Sequence, residues 1–292
     1  MESTLAPIVL FVYNRPYHTL KTLETLKSAD LSSESKLIIF SDGPKNVKDC
    51  FRIFKVRKII NKIDWVKKVE IFKSNKNKGL EKSIQSGVNY VLEKYGKAII
   101  LEDDILVGKH FLTYMNTALN KYSDADEVYH VAANSADISN ITQAQTYFLH
   151  NATCWGWGTW RWTWKKDLIT IEASELIEKL NKKKLVDKFD YCGASHFLNI
   201  LKNNAKKNNS SWAIKWYAIL VLNNKLSLHP YKTLTQNIGK DGSGTNMKRG
   251  HKQKSKKLNT KITIEDIPVR IESKIYDFYK ERFSKKFNNV NE

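Results

Sequence analysis

Cysteine is scarce in this chain. The three cysteines in 292 residues, Cys50, Cys154 and Cys192, are scattered and odd in number. That argues against a disulfide framework or a zinc site and suits a reducing compartment. Long apolar runs are also missing, and none approaches the ~20 residues needed to cross a bilayer. The stretch "LAPIVLFVYN" is apolar but short, with no basic region before it and no cleavage pattern after it. These absences predict a cytoplasmic protein and make the sequons "NIT", "NAT" and "NNSS" coincidental. Acids are the third shortage: 30 Asp and Glu stand against 49 Lys and Arg, a net charge of +19. Such a balance favours an anionic partner, whether nucleic acid, an anionic membrane surface or a phosphate-bearing substrate.

What is present has the pattern of an α/β protein, with 41 % hydrophobic and 11 % aromatic residues. "PIVLFVY" (7–13), "KLIIFSDG" (36–43), "KVEIFKS" (68–74) and "KAIILED" (97–103) read as strands. Between them, 17–27, 50–63 and 79–95 carry apolar residues at helical spacing. Strands alternating with helices predict right-handed βαβ units and a mostly parallel sheet covered on both faces. In such sheets ligands bind outside the carboxyl ends of the strands. The loops there carry "NRP", "SDGP", "SNKNKGL" and "EDD", so four polar clusters are expected on one edge. Beyond a helix at 110–122 and a strand at 127–134 regularity drops. "CWGWGTWRWTW" holds five of the eight tryptophans. Helical patterns recur at 176–189, 196–204, 211–224 and 271–283. One or two short strands are expected within 225–246, and 248–257 is basic.

The triplet Glu102, Asp103, Asp104 is the most informative feature. Adjacent carboxylates repel one another, and burial makes each harder to ionise. A divalent cation resolves this: Mg²⁺ and Mn²⁺ take hard oxygen ligands, commonly one or two carboxylates with phosphate oxygens and water.

"LEDDILVGKHFLTYM" resembles the DXD region of GT-A glycosyltransferases, closest to the N-acetylglucosaminyltransferase I type and to related bacterial surface-polysaccharide glycosyltransferases. "PIVLFVYNRPYHTLKTLETL", "SDGP" and "NKGLEKSIQSGVNYVL" are similar to that family's three nucleotide-binding loops. "HNATCWGWGTWRWTW" and the stretch 211–246 resemble the acceptor half of the bacterial members. The resemblance implies a Rossmann-like GT-A fold, with a nucleotide-sugar-binding half at 1–134 and a more irregular acceptor half at 135–247. The basic segment and last helix then occupy 248–292. It implies that Asn14 and Arg15 frame the nucleotide, that Asp42 lies close to the base, and that Asn77, Gly79 and Ser83 approach the nucleotide sugar. Glu102 and Asp103 would contact ribose or donor sugar, and Asp104 would ligate Mn²⁺ or Mg²⁺. Strand alternation would place Glu102 and Asp104 on one side.

Trp155 and Trp157 are expected to offer flat faces to a sugar, with Trp212 beside them, whereas Trp160 and Trp164 read as core. The family's catalytic acid is missing from "SSWAIKWY", where Ala213 and Ile214 stand in its place. The nearest replacement for a base is Asp241 in "IGKDGSGTN". His229 and His251 are the candidates for a late metal-binding histidine.

The expected activity is transfer of a sugar from a nucleotide sugar, UDP-linked, to a glycan or lipid-linked glycan in bacterial surface polysaccharide synthesis, with peripheral contact at the anionic inner membrane. Two alternatives are a sugar nucleotidyltransferase and a basic nucleic-acid-binding protein. The first would want a glycine-rich loop after the first strand, and "NRPYHTL" has no glycine. Against the second, the basic residues are dispersed without a recognised binding motif, and specific nucleic-acid recognition is not expected.

Overall fold

Five consecutive apolar residues, Ile8–Val12, form β1, and all are buried because the strand lies inside a sheet covered on both faces. The computed structural model describes residues 5–165, 169–208, 211–242 and 258–288. β1 leads into α1 (Pro16–Lys27), which starts on a proline suited to the first helical position. β2 (Lys36–Ser41), α2 (Val47–Ile60), β3 (Lys68–Lys73), α3 (Leu80–Tyr95) and β4 (Lys97–Glu102) follow. The strand–helix alternation read from the sequence is therefore what the chain builds.

After β4 come β5 (Ile105–Val107), α4 (Phe111–Lys121), β6 (Val128–Ala132), β7 (Thr146–Leu149) and β8 (Trp157–Trp160). Among the described residues, α5 (Ala173–Lys182), α6 (Val186–Phe189), α7 (Phe197–Ala205) and α8 (Trp212–Leu222) then follow. β9 (Leu226–Pro230), β10 (Thr235–Asn237) and α9 (Ser273–Asn288) complete the order. The basic segment expected at 248–257 lies outside the described residues. β5, β7 and β8 were not expected. β7 and β8 are four-residue strands in a Trp- and Thr-rich stretch with no polar alternation, buried on both faces.

The main sheet has eight strands in the order β3-β2-β1-β4-β8-β6-β9-β7. The first four run parallel; β8 and β7 are antiparallel to their neighbours. Strands from both sides of residue 134 alternate in this one sheet. α1, α2 and α4 cover one face, around Leu10, Leu26, Val56 and Met115. α3 and α5 to α9 cover the other, around Phe11, Val88, Trp157 and Tyr217. α9 is anchored through Tyr279, whose hydroxyl lies 2.5 Å from that of Tyr147. Among the described residues, no helix is long and apolar enough to cross a membrane.

The chain steps outward from β1 to β2 to β3, then returns to place β4 on the other side of β1. This reversal puts a topological switch point at the carboxyl ends of β1 and β4, the crevice position at which open α/β sheets bind ligands.

Candidate active site

β4 stops at Glu102, and Asp103 and Asp104 occupy the turn into β5. The expected alternation therefore does not extend to Asp104. Asp103 and Asp104 both turn to Arg15, which follows β1: its Nη2 pairs closely with Asp103, and Nη1 lies 3.0 Å from Asp104 Oδ2. The Thr22 hydroxyl donates to the Asp103 carbonyl at 2.9 Å and fixes the turn against α1. Glu102 faces the other side of the sheet, in register with Phe11, and is hydrogen-bonded by the Trp212 side chain.

Burial pushes Glu102 up to about 8; Asp104 and Asp103 add to the rise, while Arg15 and Trp212 oppose it. Asp104 is raised too, by burial first, against the pull of Arg15. Among the described residues, three carboxylates thus stand around one guanidinium, with His18 adding to its pull on Asp104, and the cluster is short of positive charge.

A strap closes over it. β10 pairs antiparallel with β5, which carries residues 237–241 across the turn. The Ile238 N–H donates to the Asp104 carbonyl at 2.9 Å. The Asn237 amide reaches Asp104 Oδ1 at 3.4 Å. A Cβ on Gly239 would stand 2.0 Å from Asp104 Oδ2, so the backbone comes as near as only glycine permits. Asp241 Oδ2 lies 3.3 Å from Nε2 of the buried His18. Lys240 Nζ stands 5.8 Å from the Trp155 ring centre, and the Thr235 hydroxyl donates to the Trp155 carbonyl.

A second knot joins the loops after β2 and β3. Asp42 accepts from its neighbour Gly43 N–H, from the Asn77 amide, and from the Lys78 and Gly79 N–H groups, at 2.8–3.1 Å. Its carboxylate is engaged in shaping this loop. Gly79 has φ +79°, which favours glycine, and begins α3 with no side-chain cap. The first amides of α3 therefore have no side chain held over them. Ser83 sits half-buried in that first turn.

The Asn14 amide donates to Asp49 at 2.6 Å, and the Tyr13 hydroxyl donates to the same carboxylate at 2.7 Å. Both bonds hold Asp49 below the usual carboxylate range, and burial with the Asp49 bond pushes Tyr13 up to about 12. Asn14 thus braces α1 against α2.

Arg15, Glu102, Asp103, Asp104, Trp155, Trp212 and Asp241 come together at the crevice, and Asp42, Asn77 and Gly79 on the same edge. Trp157 does not join them. It has no exposure and stacks on His130, with Trp164, Trp212 and Trp216 around it. Its indole fills the core and offers no face to a sugar. His229 is equally buried, stacked on Tyr147 with Nε2 on the Asn151 carbonyl, so it serves packing and not a metal. His251 lies outside the described residues. Trp160 and Trp164 are core, as expected.

Sequence reasoning missed His18, Asn237 and Gly239. His18 is one turn beyond Asn14, but its inward aim depends on the helix phase set by Pro16. Asn237 and Gly239 gain meaning only from the β5–β10 pairing.

The residues present fit a divalent cation of a particular kind. Among the described residues, no group of three or more His, Cys, Asp or Glu is arranged to hold a metal alone. A carboxylate has roughly four acceptor positions. The Asp104 oxygens have Arg15 and Asn237 as partners, which leaves positions over. One hard carboxylate in a cluster short of positive charge suits Mg²⁺ or Mn²⁺ completed by phosphate and water.

No protein-family model and no curated protein matches the sequence. Among solved structures, S. aureus TarS 1–349 aligns with TM-score 0.41 and 10 % identity over 78 % of this chain and 59 % of that one. The same protein in complex with UDP-GlcNAc gives TM-score 0.31 and 14 % identity over 48 % of this chain and 38 % of that one. A UDP-glucose pyrophosphorylase complexed with UDP-glucose gives TM-score 0.38 and 11 % identity over 80 % and 92 %. This chain spans about three fifths of the TarS 1–349 structure. Likenesses this distant assign neither a fold family nor a ligand.

Proposed function

We propose that this chain is a GT-A-type glycosyltransferase that moves a sugar from a nucleotide sugar, UDP-linked, to a glycan or lipid-linked glycan in bacterial surface polysaccharide synthesis. The observation that carries the reading is the carboxylate cluster at the β1–β4 crevice, buried against Arg15 and still short of positive charge. A diphosphate-bearing ligand arriving with Mg²⁺ or Mn²⁺ supplies the missing cation. Asp104 would hold that cation, which when bound neutralises charge on the departing diphosphate.

The protein's own groups have distinct parts. Arg15 holds Asp103 and Asp104 in place, and its charge lies at the same rim. The uncapped amides of α3 favour an anion, with the Asp42 clamp holding their loop in shape. Glu102 and Trp212 border the space on the other face, where the donor sugar is expected. Asp241 accepts the acceptor's hydroxyl proton, and His18 beside it orients or relays. Residues 1–134 serve the donor, 135–247 the acceptor, and the protein works in the cytoplasm at the anionic inner membrane.

The test is release of nucleoside diphosphate from a panel of nucleotide sugars, with Mn²⁺ and with EDTA. Donor hydrolysis lost in EDTA and in Asp104→Asn supports the reading. Failure with every donor, together with pyrophosphate release from a nucleoside triphosphate and a sugar 1-phosphate, replaces it with nucleotidyl transfer.

A further inference from the structure

Seven large apolar side chains are exposed in the described structure, and five of them lie on two adjacent helices. Val47, Phe51 and Phe54 are 87 %, 64 % and 60 % exposed on α2, and Tyr17 and Leu20 are exposed on α1, which packs against it. The other two, Phe72 and Tyr90, pack on each other on the opposite face of the sheet, with ring centres 5.1 Å apart.

The spacing on α2 is decisive. Positions 47, 51, 54 and 58 fall on one helical stripe, while the buried Ile53, Val56 and Ile60 form the opposite one. α2 is therefore apolar on two faces, and its inner face already satisfies the core. The outer stripe is flanked by exposed Lys48, Arg52 and Lys55 and continued by Lys58. Lys55 Nζ stands 4.3 Å from the Phe51 ring centre. Asp49, the acid of this helix, is held inward by Tyr13 and Asn14, and Glu24, the acid of α1, is paired with Lys21. Among the described residues of α1 and α2, the outer face is apolar and cationic, with no unpaired acid.

We infer that the outer face of α1 and α2 docks on an anionic lipid bilayer. Aromatic side chains enter the boundary between headgroups and acyl chains, and flanking lysines meet anionic headgroups; this pairing is what holds amphipathic helices at interfaces. A convex helix face with complementary charge suits a fluid anionic surface that moulds to it. The first turns of α1 and α2 lie at the carboxyl ends of β1 and β2, so a docked molecule holds the crevice beside the membrane. This sharpens the membrane contact proposed above, but it rests on the surface alone, so vesicle binding and sugar transfer can fail separately.

The test is co-sedimentation with phosphatidylcholine vesicles, with and without phosphatidylglycerol. The full chain is compared with Phe51→Ser/Phe54→Ser, Lys48→Gln/Lys55→Gln and, as a control on the other face, Phe72→Ser. Binding that needs phosphatidylglycerol is expected. It should fall about tenfold or more in the phenylalanine variant and about fivefold per lysine removed, and stay unchanged in Phe72→Ser. All substituted side chains are exposed, and matching melting temperatures check that each variant is folded. Equal binding to neutral vesicles, or undiminished binding by the phenylalanine variant, overturns the inference. A wild-type dimer that becomes monomeric in Phe51→Ser/Phe54→Ser by light scattering, with vesicle binding intact, assigns the face to a second copy instead.

Discussion

At the rim of the sheet, Asp103 and Asp104 lean on Arg15. On the covered face, Trp157 stacks on His130 at 5.2 Å, and Trp164 meets Trp216 at 4.8 Å. Both clusters stand out in the sequence as dense and unusual, yet different forces hold them. An indole is satisfied by burial plus one partner for its N–H, as when Trp216 donates to His130 at 3.1 Å. A carboxylate is not: burial raises its energy until a cation or donor arrives. The aromatic cluster is therefore stabilised by its own burial, whereas the acidic one depends on the charge and donors that Arg15 and its neighbours bring to it. Trp212 belongs to both, with its ring 5.3 Å from Trp157 and its side chain bonded to Glu102.

The sharpest way to break this comparison is to delete one member of each cluster. Trp157→Ala should cost about 3–5 kcal/mol of stability, seen as a large fall in melting temperature. Arg15→Ala should cost a comparable ~3 kcal/mol, because it strands two buried carboxylates. Unlike the tryptophan loss, this one should be largely recovered in Arg15→Ala/Asp103→Asn. Failure of that rescue would mean that Arg15 stabilises by packing and not by charge.

A smaller effect is expected with pH. Burial lowers His130 to about 3 and His150 and His229 to about 4, from 6.5. The unfolded chain takes up protons on these rings below about pH 6.5 while the folded chain does not. Their contribution is therefore complete above pH 6.5 and is lost as pH falls toward 4. Urea midpoints measured from pH 7 to 5 should decline accordingly, and less so in His229→Gln.

The smallest stability change belongs to the residue with the largest proposed role. Asp104→Asn removes a carboxylate already raised by burial and should leave stability within about 1 kcal/mol of wild type. Any rise in melting temperature on adding Mn²⁺ with a nucleoside diphosphate should vanish in this variant. A rise that survives would remove Asp104 from the metal.

Much of the edge was legible beforehand because parallel strands bring the loops after β1, β2, β3 and β4 together whatever their details. Arg15 and the acids could be placed on one rim from strand order alone. The side-chain directions could not. Whether Asp104 follows Glu102 or turns away depends on where β4 ends, and it ends at the first acid. The Asp42 clamp was not legible, because a turn aspartate that holds a neighbouring loop has the same local sequence as one that faces solvent. Trp157 looked like a sugar platform because glycines beside tryptophan suit both close packing and open surfaces. Only the insertion of β8 between β4 and β6, a long-range pairing, decides for packing.

The β5–β10 ladder has a mechanical consequence. The acids run directly into β5 and the strap runs directly out of β10, so two stretches more than a hundred residues apart in sequence move as one lever. A molecule that draws Asp104 forward pulls Gly239 and Asp241 with it, and amide protons of 105–107 and 235–237 should then exchange more slowly in concert. Occupancy of the rim would then be sensed by a pair of three-residue strands.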